Sequence, residues 1–352
     1  RQTDRQTDRQ TDRQTDRVGW IDCAKGIAIL LVIVGHTADN GIVRGIIFSF
    51  HMPLFFILSC MTWRFSADYV QFFQKVRRAF VHLIMPAVGI YLLRTIVNVI
   101  YHYSDFVSIE YCGNYIVDKL LTALFSSGVT VSAGSRKIEA IGMPWFLVAL
   151  FLGRTLLDFL HMKIQGKLLA VLCVVLSMMG VLFGAIQWLP FSLDIVLAIM
   201  PFLLMGTLLR HSQIENKAGM KTGIYLIIWG ITFAGIRWRS GSYMELACRR
   251  YPIYPLCFIT AVAGTLAVAE LSIVCMRIFR VMRAFEFLGR NSMYLYCVHM
   301  MDYLWGVLWN VKVNSIISVA FRIISDIVVF MVVMRVSHYI GKIKTRRGSD
   351  TL

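Results

Sequence analysis

About ten apolar stretches, each long enough or nearly so to cross a bilayer as a helix, occupy almost the whole chain. They run over 19–38, 43–63, 79–101, 143–160, 167–187, 189–209, 221–237, 253–276, 285–309 and 314–336. Backbone polar groups cannot stay unpaired in hydrocarbon, and stretches of this length are not strand-sized. The expected fold class is therefore all-α, a polytopic membrane protein built as a bundle of about ten transmembrane helices. Only 16% of residues are charged, against about 25% in soluble domains, which excludes a water-soluble globule. Residues 1–16 are four copies of Arg-Gln-Thr-Asp. This polar repeat has no apolar face and reads as a tag-like or disordered segment, leaving 17–352 as the transmembrane domain.

The formal net charge is +16. Each repeat copy carries one Arg and one Asp, so the excess belongs to the rest of the chain. The cations are scattered among loops rather than gathered on one face, which argues against nucleic acid as a partner and for membrane lipids. Segments 64–78, 161–166, 210–220, 277–284 and the tail from 337 hold most of the loop Lys and Arg. The positive-inside rule then places both termini in the cytoplasm. Loop 238–252 is the exception, because Arg239, Arg249 and Arg250 would face outward, either to hold an anion or because the span count is wrong nearby. No metal is expected, since the eight cysteines show no metal-ligand spacing. Cys112 and Cys248 fall in polar loops on the same expected side, and a disulfide between them is left open.

Ionisable groups inside spans are costly and mark candidate sites. The first span carries Asp22, Lys25, His36 and Asp39. Lys25 and His36 are eleven residues apart, about three turns and about 16 Å along one helix face. Lys25 could instead snorkel while paired with Asp22 at i,i+3. In the second span, His51 stands two residues before Pro53, which suggests a cavity at a helix break, or a histidine bonded to the carbonyl that the proline frees. Lys75, Arg77, Arg78 and His82 crowd the start of the third span, where guanidinium groups would suit phosphates, or would only signal topology. In the ninth span Tyr296 and His299 share a face, and His299 falls near the expected depth of His36, as an acid/base pair or a structural Tyr–His bond. Arg154 with Asp158, and Arg322 with Asp326, read as neutral i,i+4 pairs. Arg94, Asp194, Glu270 and Asp302 have no local partner.

Asp22-x-x-Lys25-Gly26, Lys25-x10-His36, Phe50-His51-Met52-Pro53-Leu54-Phe55-Phe56, Arg77-Arg78 ahead of Pro86, Pro144-Trp145-Phe146 and Tyr296-x-x-His299 occur in this order. Together they resemble the membrane-bound acyltransferase family 3, in particular its branch similar to fucose 4-O-acetylases. The resemblance covers nearly all of the chain after residue 17. It implies a ten-helix protein of the bacterial inner membrane that moves an acyl group, usually acetyl, from cytoplasmic acyl-CoA onto a carbohydrate, a surface polysaccharide or lipid-linked sugar. His36 would be the catalytic histidine. Read from the residues, it acts as a general base or through a covalent acyl-histidine relay, with Asp39 at i,i+3 orienting it and Tyr296 or His299 stabilising the oxyanion. Lys25, Arg77 and Arg78 would serve acetyl-CoA or another acyl-CoA, and Asp22, His51 and Trp145 would face the substrate pocket. Two departures stand out: Lys25 where many members have Arg, and Cys60 where a glycine commonly follows Ser59. A transporter using the same polar cavity for a small solute is the competing class.

Overall fold

The computed structural model describes residues 18–38, 40–102, 109–133, 136–210, 219–308 and 315–349. Helices account for nearly all of them, and each of the ten expected spans holds one or more. Six helical segments are long and apolar enough to cross a membrane, and a seventh is a pair bent by 54°. The protein is thus an all-α polytopic membrane protein.

The first helix, α1 (Gly19–Thr37), is central and largely buried. The second span is broken into α2 (Gly41–Phe48), capped by the Asn40 side chain, and α3 (His51–Met61). Pro53 cannot donate to the carbonyl four residues back, so the ladder is interrupted around Ser49–Phe50. Side chains take over there. The Ser49 hydroxyl donates to the Ile46 carbonyl, and Trp229 Nε1 donates to the Ser49 oxygen at 3.0 Å. The third span is α4 (Tyr69–Ala79), a π-turn (Phe80–Ile84) and α5 (Met85–Tyr101). The wide turn lies just ahead of Pro86, whose ring excludes the regular bond to the His82 carbonyl.

Residues 102–142, expected as a long loop, contain a further helix, α6 (Ile109–Phe125), and a hairpin of β1 (Val131–Ala133) and β2 (Arg136–Ile138) with Ser132 opposite Lys137. Next come α7 (Trp145–His161) and α8 (Gly166–Ile186). The bent pair is α9 (Leu193–Ala198) and α10 (Met200–Arg210), with Pro201 at the bend. The chain continues through α11 (Thr222–Ser240), α12 (Leu256–Ile278), α13 (Met282–Arg290) and α14 (Ser292–Met300). A 3-10 turn (Asp302–Leu308) and α15 (Ser315–Ser349) complete it.

The core gathers Ile29, Phe56, Phe146, Leu147, Phe202, Leu295 and Phe330 between α1, α3, α7, α10, α14 and α15. Peripheral helices turn apolar side chains outward, such as Leu168, Val171 and Leu182 on α8 and Val328 and Val332 on α15, as helices facing lipid do. Close helix crossings rest on glycine. A Cβ on Gly289 would lie 1.6 Å from the Asp22 carbonyl oxygen, and one on Gly26 2.0 Å from that of Phe285. Only residues without a side chain allow α1 and α13 to approach so closely. The crossing of α3 and α10 is similar. Cys60 is buried there, and the close approach is provided by Gly206, whose Cβ would meet the Ile57 oxygen at 2.2 Å. The glycine that the sequence lacks at position 60 stands on the facing helix.

Candidate active site

Two sets of polar residues lie at opposite ends of α1, joined by one stripe of that helix. At its C-terminal end the rings of His36 and His299 are 5.8 Å apart between centroids. His36 is exposed, whereas His299 is fully buried. Helix α1 ends one residue after His36, so the imidazole stands at the rim of the bundle. Phe48 of α2 packs edge-on to the His36 ring at 5.7 Å.

Behind His299 lies a buried ionic network. Its Nδ1 is 2.9 Å from Oδ2 of both Asp302 and Asp326. Carboxylate oxygens only accept, so Nδ1 carries the proton. Arg322 Nε donates to Asp302 at 2.5 Å, and Arg322 Nη1 donates to Thr37 Oγ1 at 2.9 Å. Trp305 Nε1 donates to Asp326 at 3.3 Å. Nε2 of His299, by contrast, is buried with no hydrogen-bond partner. That ring position is the one left for a substrate. The His299, Asp302 and Asp326 ligand atoms lie within 4.8 Å of one another, a composition that could hold a metal ion. The Arg322 guanidinium already supplies a positive charge to the carboxylates there.

From the other end of α1, Lys25, Ile29 and Val32 form one wall of a cavity of about 190 Å³. Met52, Phe55, Phe146 and Tyr296 close it, and Arg154 stands at one end. The stripe advances by four, three and then four residues, so His36 follows Val32 on the same face, about 6 Å further along the axis. Arg154 and Leu83 also line a second cavity of about 380 Å³, with Trp63, Arg64, Lys75, Arg78 and His82. No carboxylate is among the described residues that line this basic mouth. Arg154 stacks on the Trp63 ring at 3.9 Å, and its Nε has no hydrogen-bond partner. Mouth and corridor therefore share Arg154 as a common wall.

Not all of the expected residues line the two cavities. Arg78 lines the mouth, but Arg77 does not, being one residue and about 100° further round an exposed helix. Asp22 does not line the corridor. It faces α13, with Arg290 Nε 3.6 Å from its carboxylate. His51 is buried, and its Nδ1 lies 3.0 Å from the Ile47 carbonyl, not the Ser49 carbonyl that Pro53 frees. Its ring meets Phe48 at 4.6 Å, so Phe48 stands between His51 and His36. Trp145 packs in the core against Gly128, and it is Phe146 that lines the corridor. Tyr296 lines the corridor too, but its hydroxyl donates to the Met143 carbonyl at 2.5 Å, which takes the proton that an oxyanion would need. Asp39 lies outside the described residues.

The expected i,i+4 pairs do not form. Asp158 accepts from the Ser66 N–H and hydroxyl, both at 2.8 Å, leaving Arg154 to the cavities. Arg322 goes to Asp302 and leaves Asp326 to His299. Asp194 is met by Arg249 at 2.6 Å, and Arg250 and Arg44 meet Glu245 at 3.5 and 3.2 Å. Two of the three misplaced loop cations are thereby neutralised within the protein. Glu270 accepts from Thr222 at 2.8 Å. Cys112 and Cys248 are not joined by a disulfide.

Asp302, Asp326, Arg322 and Arg154 are the residues that sequence reasoning passed over as members of the site. Their signal was the cost of a charge inside a span, which points to importance but not to a partner. A family described as an acyltransferase domain matches residues 18–336. No curated protein and no solved structure matched the chain.

Proposed function

The chain belongs to that acyltransferase family and is a membrane acyltransferase, and from this premise we propose that it transfers an acyl group, most simply acetyl, from acyl-CoA to a carbohydrate hydroxyl. The observation that carries this reading is the pair of cavities joined at Arg154, one basic and one apolar and narrow. A CoA thioester has the matching shape. Its phosphates belong with Arg64, Lys75, Arg78 and Arg154, where guanidinium groups offer paired donors. Its slender acyl-bearing arm belongs in the corridor lined by Ile29, Val32 and Phe146.

The arm leads toward His36. There the imidazole takes the proton of the acceptor hydroxyl as its oxygen adds to the thioester carbonyl. The C–S bond breaks, an ester forms, and the CoA thiolate takes the proton back from His36. His299, fixed through Nδ1 by Asp302 and Asp326, offers Nε2 to the developing oxyanion when that nitrogen carries a proton. The positive-inside count supports a mouth that faces the cytoplasm and a His36 toward the outside, and the family resemblance supports a bacterial inner membrane.

The test is purified protein with radiolabelled acetyl-CoA. Release or transfer of the label by wild type, lost in His36→Ala, is expected. Counterflow of a small solute with no turnover of acetyl-CoA would favour a transporter.

A further inference from the structure

A third cavity, of about 450 Å³, opens at the far end of α5 from the basic mouth, between α5, α6, the Glu139–Ile141 segment and Tyr303. One residue of its lining, Tyr303, adjoins the histidine network along the chain. Tyr303 follows Asp302, whose partner Arg322 holds Thr37, the neighbour of His36. Its size suits a small molecule rather than a lipid tail, and its walls are suited to a sugar. Tyr91, Tyr101 and Tyr303 offer rings for the C–H face of a pyranose, and Asn98 and Thr95 offer hydroxyl partners.

Its charge is more specific. Lys119 is neutralised by Glu139 inside the cavity. Arg94 is not neutralised by any carboxylate among the described residues. It donates to the Ile141 carbonyl at 3.2 Å and lies over the Tyr303 ring at 5.5 Å. Gly142 makes room for it, since a Cβ there would stand 2.7 Å from Arg94 Nη1. The cavity thus holds a guanidinium seated by backbone and an aromatic ring, with donor capacity left over.

We propose that this cavity is the acceptor site and that it takes an acidic saccharide, a sugar ring bearing a carboxylate or a phosphate that Arg94 binds. The inference rests on the acyltransferase reading above for the fate of the sugar, but binding itself needs no donor. The probes are glucuronate, glucose 1-phosphate and glucose, added without acyl-CoA to protein in a neutral detergent and followed by saturation-transfer NMR.

Glucuronate or glucose 1-phosphate should bind about tenfold more tightly than glucose, as a charge-assisted bond implies. Which of the two binds better distinguishes a carboxylate from a phosphate. Arg94→Gln should remove the preference, and Arg94→Lys should keep most of it. Tyr101→Ala, which strips an exposed ring from the rim, should weaken all three sugars and keeps the test open should Arg94→Gln misfold. Equal binding of glucose and the acidic sugars, an unchanged preference in Arg94→Gln, or no binding of any sugar by wild type would overturn the proposal. Failure to bind or turn over acetyl-CoA in a separate assay would instead count against the acyltransfer reading.

Discussion

The two ends of α1 handle charge in opposite ways. At the Lys25 end, Arg64, Lys75, Arg78 and Arg154 line a mouth that no described carboxylate shares. At the His36 end, two aspartates, an arginine and a histidine are sealed into one network, with Arg322 and His299 supplying the donors. Like charges lining one cavity repel one another and gain from a bound anion. The buried network sets two carboxylates against one guanidinium, and it holds one imidazole in one orientation. On the proposed reading the first end binds the donor and the second positions the histidine.

The largest difference between the ends should appear at His36 itself. His36→Ala should lower acyl transfer by about a thousandfold, in the range for loss of a general base, with elution volume and melting temperature unchanged because the ring is exposed. Activity within a few fold of wild type would remove His36 from the chemistry. Next comes the network. Arg322→Gln removes the guanidinium from buried Asp302 and should cost about 3–5 kcal/mol of stability, seen as a lower melting temperature. An unchanged melting temperature would show that the His36 end is not held by its ion pairs.

Loss of a mouth cation should behave differently. Arg154→Gln should raise the KM for acetyl-CoA by about tenfold while kcat at saturating donor stays within about twofold. A fall in kcat with unchanged KM would place Arg154 with the chemistry instead. The smallest effect separates neighbours. Arg78→Ala should weaken donor binding and its salt dependence, whereas Arg77→Ala should change KM by less than about twofold, since its side chain lies off the mouth.

Elements that depend on one segment at a time were legible in the sequence. Apolar length located the spans, and Pro53, Pro86 and Pro201 mark where three of them break or widen. Helix α6 was missed because Asp118 and Lys119 interrupt its apolar face, although Ile116, Val117, Leu120 and Leu124 follow helical spacing. The site was legible only where one helix carries it, as with Lys25 and His36. Partners across helices were not. Arg322 has Asp326 one turn away, yet Asp302 wins it, because His299 and Trp305 claim Asp326. Arg154 lost Asp158 to Ser66 in the same way. Spacing within a helix names the candidates for a charge, and the tertiary competitors decide among them.

The central claim is that donor and product occupy opposite faces of one protein. The direct test uses sealed proteoliposomes, sorted so that the Lys25 end faces outward, with radiolabelled acetyl-CoA added only outside. Label should accumulate inside, as acetate or as the ester of a trapped acidic sugar, while CoA stays outside, and His36→Ala vesicles should accumulate none. Label released only on the side that received acetyl-CoA, in intact vesicles with active protein, would contradict the account.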